Sequence, residues 1–153
     1  MDISLDSYKL IKYDPNSIKD LNFIRGLFAD DEVVSYLGHL ENDFKNVYIV
    51  SDYDGNYIGY VSLSEVIVNM KNLTSSTIYY AIDKKYRGMG HGSRLLKEVS
   101  EYKLIDIDML VMMIDVNNMA SLKAAEKAGF GEEFRSDEEV IYTKYSIEKR
   151  KQK

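Results

Sequence analysis

The sequence predicts an α/β (α+β) fold in which a mixed, mainly antiparallel central sheet is flanked by helices. Apolar residues recur at helical spacing in the first quarter of the chain, and alternation with a period of two begins at Val47. Three strand-like runs then follow one another without an intervening helix, which is typical of an antiparallel meander. The second half alternates helix, strand and helix, and this pattern makes the predicted sheet mixed.

The N-terminal quarter is predicted to contain a short strand and two helices. The strand covers residues 8–12, and Ser17 with Asp20 forms an S-x-x-D capping pattern at the start of the first helix. Residues at helical spacing give that helix one apolar face, which consists of Ile18, Leu21, Ile24 and Phe28. A second, shorter helix is predicted over residues 31–40.

Strands dominate the next part of the sequence. Val47–Ser51 and residues 57–68 are rich in β-branched and aromatic residues, and the turn between them contains Asp54-Gly55, a hairpin signal. After a polar turn, residues 77–82 form the third run. These three runs are the predicted meander.

The second half begins with a glycine-rich loop at residues 88–92. It leads into a helix whose apolar face consists of Leu95, Leu96, Val99 and Tyr102. Residues 110–115 form a continuous apolar run, the pattern of a strand covered on both faces. Asn118 then caps a helix that ends at Gly129. Its predicted inward face consists of Leu122, Ala125 and Ala128, and residues 140–145 are the last predicted strand.

Length and charge restrict the class of protein. A chain of 153 residues without an internal repeat or linker predicts a single domain over residues 1–153, with a short basic tail from about residue 147. The 20 basic and 25 acidic residues give a formal charge of 20 − 25 = −5, which argues against a generally basic surface. The tail is interpreted as a frayed, solvated chain end.

The inventory of reactive residues excludes several kinds of site. The chain contains no Cys, which excludes disulfides, thiolate zinc sites and cysteine nucleophiles. Its two His cannot form a three-His metal site within one chain, so no metal is expected. The N-terminus lacks a basic segment followed by an apolar run, and the longest apolar run, residues 110–114, is too short to span a bilayer. We therefore expect a cytoplasmic protein without a membrane partner.

The glycine-rich loop is the segment that indicates chemistry. Glycines let a backbone turn sharply and approach a ligand closely, and the first N–H groups of the following helix favour an anion such as a phosphate. Arg87 and Arg94 flank the loop and supply positive charge in an acidic protein. The alternative interpretation is a glycine-rich connection that binds no ligand.

Other phosphate-binding motifs fit the loop poorly. No GxxxxGK[ST] sequence is present, which excludes a Walker A loop. A dinucleotide fingerprint needs glycines at 88, 90 and 93, and position 93 is Ser. The loop also follows a helix and a meander, whereas a Rossmann unit places its glycine loop after the first strand.

Two motifs resemble those of a known superfamily. Residues 87–92, Arg-Gly-Met-Gly-His-Gly, resemble the Q/R-x-x-G-x-G/A acyl-coenzyme A loop of the GNAT N-acetyltransferases. Residues 118–130 are similar to the N-x-x-S-x-x-x-x-E-K-x-G-F segment found especially in the ribosomal-protein (Rim-type) N-acetyltransferase branch. The order of predicted elements agrees with that superfamily from about residue 8 to residue 145. The resemblance implies the acyl-CoA N-acyltransferase (GNAT) fold.

The resemblance also implies which residues contact acetyl-CoA, the expected co-substrate. The backbone of Ala81 and Ile82 would bind the pantetheine arm and hold the thioester carbonyl. The pyrophosphate would be wrapped by Arg87, Gly88, Met89, Gly90, His91, Gly92 and Ser93. Asn118 would contact the pantetheine side, Lys127 would be a further coenzyme contact, and Ser121 would lie near the coenzyme sulfur. Each of these three residues also has a purely structural interpretation. Asn118 would be the N-cap of its helix, Lys127 a cation near the helix C-terminus, and Ser121 a small residue in the first turn.

The types of reactive residue in the chain also indicate a mechanism. Because the chain has no Cys for an acyl-enzyme, direct attack of an amine on bound acetyl-CoA is the economical route, and GNAT enzymes generally use it. An alkyl amine is mostly protonated at pH 7, so a base or water chain must remove its proton. Thr77 stands where many members carry Glu, and Ala125 stands where many carry a Tyr acid. Ser121 is then the candidate acid for the leaving thiolate, and Glu65, on the preceding strand, is either the base or an exposed strand residue.

The leading hypothesis is an acetyl-CoA dependent N-acetyltransferase acting on a primary amine of a small molecule or of a peptide or protein N-terminus. The alternative, raised by the missing Glu and Tyr, is a noncatalytic acyl-CoA binding or sensing module. A nucleic-acid partner rests only on the basic tail, and a pI of about 5.1 argues against it. Homodimers are common in the superfamily, but no sequence feature locates an interface.

Overall fold

The structure, a computed structural model, describes residues 1–37 and 46–150. Nine strands lie in these ranges: β1 (Ile3–Ser4), β2 (Lys9–Lys12), β3 (Val47–Ser51), β4 (Tyr57–Leu63), β5 (Ile67–Val68), β6 (Thr74–Ile82), β7 (Met109–Asp115), β8 (Gly131–Arg135) and β9 (Glu139–Tyr145). Five α-helices accompany them: α1 (Ile18–Phe28), α2 (Asp31–Leu37), α3 (His91–Lys103), α4 (Met119–Lys127) and α5 (Ile147–Arg150). A 3₁₀ turn covers Lys84–Tyr86.

The strands form a mixed, mostly antiparallel sheet. Hydrogen-bonded neighbours follow the order β1-β2-β3-β4-β6-β7-β9-β8, and β5 pairs with β6. β6 and β7 are parallel, whereas the other registers are antiparallel. β4 and β6 are antiparallel too, because Ser64 N donates to Thr77 O while Asp83 N donates to Ile58 O. The predicted fold class and its meander, formed by β3, β4 and β6, are confirmed.

Contacts divide the chain into two compact units. The first contains Met1–Ser62 and Tyr79–His91, and the second contains Leu63–Ile78 and the chain from Gly92 onward. Strands β4 and β6 therefore each contribute to both units. The single domain expected over residues 1–153 stays a prediction.

The core of the first unit is formed by α1, α2 and the strands of the meander. Its buried members are Tyr13, Ile24, Leu27, Val33, Val47, Ile49, Tyr60 and Ala81. The predicted apolar face of α1 is partly wrong, since Ile18 is 77% exposed and the charged residue Asp20 is buried instead.

Hydrogen bonds explain why Asp20 is buried. Tyr57 Oη donates to its Oδ1 at 2.7 Å, and the Asp14 backbone N–H donates to its Oδ2 at 3.1 Å. Burial and the hydrogen bond to Asp20 raise the pKa of Tyr57 to about 12, so this donor keeps its proton at neutral pH. Ser17 caps α1 as predicted, with its Oγ accepting from Asp20 N. The carboxylate of Asp20 thus joins the start of α1 to strand β4.

The hairpin of β3 and β4 is confirmed, and Gly55 in its turn has a φ of +88°. The continuous run expected over residues 57–68 is wrong, because β4 ends at Leu63 and β5 begins at Ile67. Ser64 Oγ accepts from Thr77 N at 2.8 Å, so a side chain replaces a backbone acceptor where the strand stops. Glu65 consequently lies exposed in the connection between the strands rather than on one.

In the second unit, β7 pairs with β6 through Ser75–Met109, Ser76–Leu110 and Thr77–Val111, and with β9 along its whole length. The strand at residues 110–115 is confirmed, but it is not covered on both faces throughout, because Met113 is exposed. β8 was not predicted. Its residues are all exposed, so it carries no alternation of polar and apolar side chains, and it pairs with β9 at the end of the strand order.

The helices of the second unit largely match the sequence pattern. On α3, Leu95, Leu96 and Val99 are buried, whereas Tyr102, one residue before the helix ends at Lys103, is 41% exposed. On α4, the predicted inward residues are all buried, and they are Leu122, Ala125 and Ala128. Gly129 follows with a φ of +93°, the left-handed conformation that ends many helices.

Two predictions extend beyond the described residues. The helix expected over residues 31–40 is observed as Asp31–Leu37, and residues 38–40 lie outside the description. The tail begins with α5, and residues 151–153 also lie outside it. None of the helices in the described ranges combines the length and hydropathy needed to cross a membrane.

Candidate functional site

The glycine-rich loop leads from the 3₁₀ turn into α3. Gly88 and Gly90 have φ angles of +77° and +83°, which residues with a Cβ disfavour. A Cβ at either position would meet no atom within 4 Å, so open space adjoins this backbone. α3 begins at His91, which places His91 and Gly92 in its first turn rather than in the loop. Exposed backbone thus precedes the N-terminus of a 13-residue helix, an arrangement that favours an anion.

His91 is held at the start of α3 by Tyr8. Tyr8 Oη lies 2.6 Å from His91 Nδ1, and Tyr8 is fully buried. The His91 ring also makes edge-to-face contacts with the rings of Tyr8 and Tyr86, at centroid distances of 5.8 and 6.0 Å. When Tyr8 donates to Nδ1, the proton of the neutral imidazole is on Nε2. The sequence indicated His91 but gave no sign of its aromatic partners.

The guanidinium group of Arg87 contacts three protein groups. Its NH2 nitrogen lies 2.8 Å from Asp30 Oδ2 and its NH1 nitrogen lies 3.0 Å from Glu32 Oε2. Its Nε donates to the Ile82 carbonyl oxygen at 2.9 Å. The positive charge expected to face a phosphate is therefore engaged with two carboxylates in this structure.

Asp30 has a second role at the start of α2. Its Oδ1 accepts from Glu32 N at 3.0 Å, which caps the helix. This backbone hydrogen bond, together with the Arg87 guanidinium, holds the pKa of the Asp30 carboxyl below its ordinary value of 3.8. Asp30 is therefore ionised at neutral pH, and one carboxylate connects α2 with the residue that precedes the glycine loop.

The end of β6 supplies the backbone that the resemblance assigns to the pantetheine arm. Ala81 is buried and Ile82 is half-buried. A Cβ added to Gly59 on β4 would collide with the Ala81 carbonyl oxygen and lie 3.1 Å from Ile82 Cα. The backbones of β4 and β6 thus approach each other so closely that only glycine fits at position 59. The parallel register between β6 and β7 ends at Thr77, although β6 continues to Ile82.

The second unit contains the other predicted contacts. Asn118 Oδ1 accepts from Ser121 N at 3.2 Å, so the Asn118 side chain serves as the N-cap of α4. Ser121 lies in the first turn and is buried, at 7% exposure. Lys127 is exposed at the last residue of α4, and Ser93 is half-buried in the first turn of α3. The structural interpretations of Asn118 and Lys127 are compatible with these positions.

The chemistry available at these positions is limited. Ala125 is fully buried and has no polar side-chain atom, and Thr77 donates its backbone N–H to Ser64. Ser121 carries a hydroxyl, which can donate a hydrogen bond to a developing thiolate. Among the residues that the structure describes, no group of three or more acidic or histidine side chains could hold a metal ion.

Sequence reasoning missed Tyr8, Asp30, Glu32 and Gly59. Acidic residues just before and within the first turn of a helix are ordinary capping residues, so Asp30 and Glu32 gave no signal of a distant partner. An isolated glycine inside a strand pattern does indicate a close approach of another backbone, and Gly59 could have been found on that ground.

Comparisons with known proteins identify the family to which this fold belongs. The sequence pattern of the acetyltransferase (GNAT) family matches residues 12–130. A curated relative from Bacillus subtilis (strain 168), named "Putative phosphinothricin acetyltransferase YwnH", is 30% identical over 104 residues. That match covers 67% of this chain and 63% of YwnH, so the chain spans less than two thirds of its relative's length.

Two solved structures show the same fold. Spermidine N-acetyltransferase from Vibrio cholerae, in complex with CoA and spermine, superposes with a TM-score of 0.72 at 19% identity, covering 92% of this chain and 96% of that one. Ribosomal-protein-S5-alanine acetyltransferase from Vibrio fischeri superposes with a TM-score of 0.71 at 14% identity, covering 96% and 97%. The matched family pattern spans the meander, the glycine loop, α3 and α4, and the chain accordingly belongs to the GNAT family of acetyltransferases.

Proposed function

We propose that the protein is an N-acetyltransferase that moves the acetyl group of acetyl-CoA directly to a primary amine of a small molecule, peptide or protein. The observation that carries the proposal is the loop before α3, where two glycines of positive φ present open backbone at a helix N-terminus. The family match and the CoA bound by a solved neighbour support the choice of acetyl-CoA.

The residues of the loop fit a pyrophosphate. An anion next to Gly88 and Gly90 meets no Cβ, and the loop leads directly into the N-terminus of α3, where the helix dipole favours a negative charge. Ala81 and Ile82 offer backbone groups at the end of β6 for an amide-bearing arm. Acetyl-CoA supplies an activated thioester, and the chain's own residues orient it and move protons.

Direct transfer of the acetyl group also requires that the amine loses a proton and that the leaving thiolate gains one. The amine nitrogen attacks the thioester carbonyl, loses a proton to a base or to water, and the C–S bond breaks as the thiolate leaves. We assign protonation of the leaving thiolate to Ser121, which lies in the first turn of α4. Glu65 is exposed in the connection between β4 and β5, and we keep it as the candidate relay of the amine proton to bulk water, the alternative being that it is only an exposed residue.

Replacement of Ser121 tests its role as proton donor. We expect Ser121→Ala to lower turnover by roughly 10- to 100-fold with little change in coenzyme affinity, because water substitutes in part for the lost hydroxyl. Steady-state thiol release at saturating acceptor measures this. The matched control is Ser51→Ala, another buried serine, on β3, which should leave turnover unchanged. Unaffected turnover in Ser121→Ala, with chemistry rate-limiting, would mean that Ser121 only packs within its helix.

The pH profile tests the deprotonation step. Turnover should rise from about pH 6 to about pH 8.5, since the amine reacts only without its proton. If Glu65 relays that proton, Glu65→Gln removes or shifts the rising limb, while Glu138→Gln, at another exposed glutamate, leaves it in place. If turnover of Glu65→Gln still rises with pH as in the wild type, the rise comes from water or from the ionisation of the amine itself, because neither Thr77 nor Ala125 ionises in this range.

A panel of amines decides between an enzyme and a noncatalytic binding or sensing module. Spermidine, phosphinothricin and a peptide with an N-terminal alanine represent the substrates named for the relatives. Thiol release and product mass are measured with acetyl-CoA. One acetylated product supports the transferase, whereas coenzyme binding without any product supports the binding module. The cytoplasmic location, the homodimer and the absence of a nucleic-acid partner stay predictions.

A further inference from the structure

Arg87 is poorly placed to act as a free cation for a phosphate. Each of its three guanidinium nitrogens already has a protein partner, at 2.8, 3.0 and 2.9 Å. Two of these partners are carboxylates, so the group of three side chains carries a net charge of −1. A pyrophosphate approaching the guanidinium would therefore approach a group of net negative charge, and like charges repel.

The contacts of Arg87 instead join three elements of the first unit. The Ile82 carbonyl belongs to the end of β6, and Asp30 and Glu32 lie at the start of α2. The Arg87 backbone N–H also donates to Lys84 O, which closes the 3₁₀ turn. Arg87 is therefore fixed on its side chain and on its backbone, and the next residue, Gly88, begins the loop of positive φ.

We propose that Arg87 is a positioning residue, held by Asp30 and Glu32, that fixes the start of the coenzyme loop and does not itself bind the pyrophosphate. This inference rests on the proposed coenzyme function. A loop anchored before Gly88 keeps its N–H groups in the binding geometry, so less conformational freedom is lost when the anion binds. We refer to Arg87, Asp30 and Glu32 as the clamp.

The two carboxylates contribute unequally to the clamp. The Arg87 and Asp30 side chains are 28% and 21% exposed, so their ion pair is largely sheltered from solvent. The Glu32 side chain is 64% exposed, and exposed pairs contribute little. Removing the charge of Asp30 should therefore weaken coenzyme binding more than removing that of Glu32.

The experiment is calorimetric titration of the folded variants with coenzyme A. Asp30→Asn keeps an N-cap for α2 and removes one partner of Arg87, and we expect its Kd to rise about five- to tenfold. Asp31→Asn is the matched control: it removes the same charge from the adjacent position, which is not a partner of Arg87. Loss of a negative charge near an anionic ligand should leave its Kd unchanged or slightly lower.

Double variants separate positioning from a general structural effect. If Asp30 acts through Arg87, then Asp30→Asn adds little to Arg87→Gln, and the two effects are not additive. In acetyl transfer, the clamp variants should raise KM for acetyl-CoA while kcat is retained. Glu32→Gln, at an exposed position, provides a second test if Asp30→Asn folds poorly, and its expected rise in Kd is about twofold.

The outcomes distinguish the two proposals. If wild type binds coenzyme A and Asp30→Asn binds it equally or more tightly while Arg87→Gln loses affinity, Arg87 is a direct phosphate ligand and the clamp is overturned. Additive losses in the double variant overturn it as well. If wild type itself does not bind coenzyme A, the proposed function fails and the clamp fails with it.

Discussion

Gly90→Asp is expected to abolish coenzyme A binding in a chain that still folds. Gly90 has a φ of +83°, where an ordinary side chain costs about 1–2 kcal/mol, and its surroundings are open, so the substitution is strained but not blocked. The new carboxylate would lie next to the N-terminus of α3, where its negative charge repels phosphate. We expect affinity to fall by about 100-fold or more.

The measurement is calorimetric titration with coenzyme A, with circular dichroism to verify folding. Gly26→Asp is the matched control, because Gly26 on α1 also has no neighbour for a Cβ and has no positive φ. It adds the same charge to the same unit without touching the loop. Wild-type affinity in folded Gly90→Asp would show that the coenzyme phosphates bind elsewhere.

Gly59→Ala is expected to cause the largest loss of stability among alanine substitutions at the seven glycines whose surroundings the structure describes. The added Cβ would overlap the Ala81 carbonyl oxygen and lie 3.1 Å from Ile82 Cα, and both of these are backbone atoms of a central strand. A flexible side chain could move aside, but a backbone held in a sheet cannot. We expect destabilisation by about 3 kcal/mol or more, with failure to fold as the extreme result.

Urea unfolding measures the change in the free energy of unfolding. For Gly26→Ala, the control, we expect this change to have the opposite sign. Gly26 lies inside α1 with open space around it, so alanine should stabilise the chain by about 0.5–1 kcal/mol. If Gly59→Ala does not fold, its half-life in a protease digest is compared with that of Gly26→Ala. A shortened half-life for Gly59→Ala, with Gly26→Ala resistant, also shows that the methyl at position 59 destabilises the chain. Equal stability of Gly59→Ala and wild type would contradict the close approach of β4 and β6.

The parts of the fold that the sequence predicted are those with a strong periodic signal. β3 has its predicted bounds, and α4 has its predicted inward face and its stop at Gly129. β8 was missed because its five exposed residues show no alternation, and the burial of Asp20 was missed because its partner Tyr57 lies 37 residues away. Long-range hydrogen bonds of this kind are invisible to local patterns.

In the candidate site, too, the sequence predicts the features that depend on local residues and misses those that depend on distant ones. The glycine loop is readable because φ above zero requires particular residues, and Gly88 and Gly90 have such angles. The partners of Arg87 were not readable, since Asp30 and Glu32 are more than 50 residues away and serve locally as helix-start residues. The β-rich residues 57–68 predict a strand that includes Glu65, whereas β4 ends at Leu63 and the next residue, Ser64, accepts from Thr77 N through its hydroxyl.

The lowered pKa of Asp30 determines how the kinetics of this protein can be interpreted. A carboxyl whose pKa is lowered by folding stabilises the native state above its ordinary pKa of 3.8 and loses that contribution only as the pH falls through the lowered value. The ion pair with Arg87 therefore keeps its charge at every pH where an amine acceptor titrates. A change in turnover between about pH 6 and 8.5 therefore does not come from neutralisation of this ion pair.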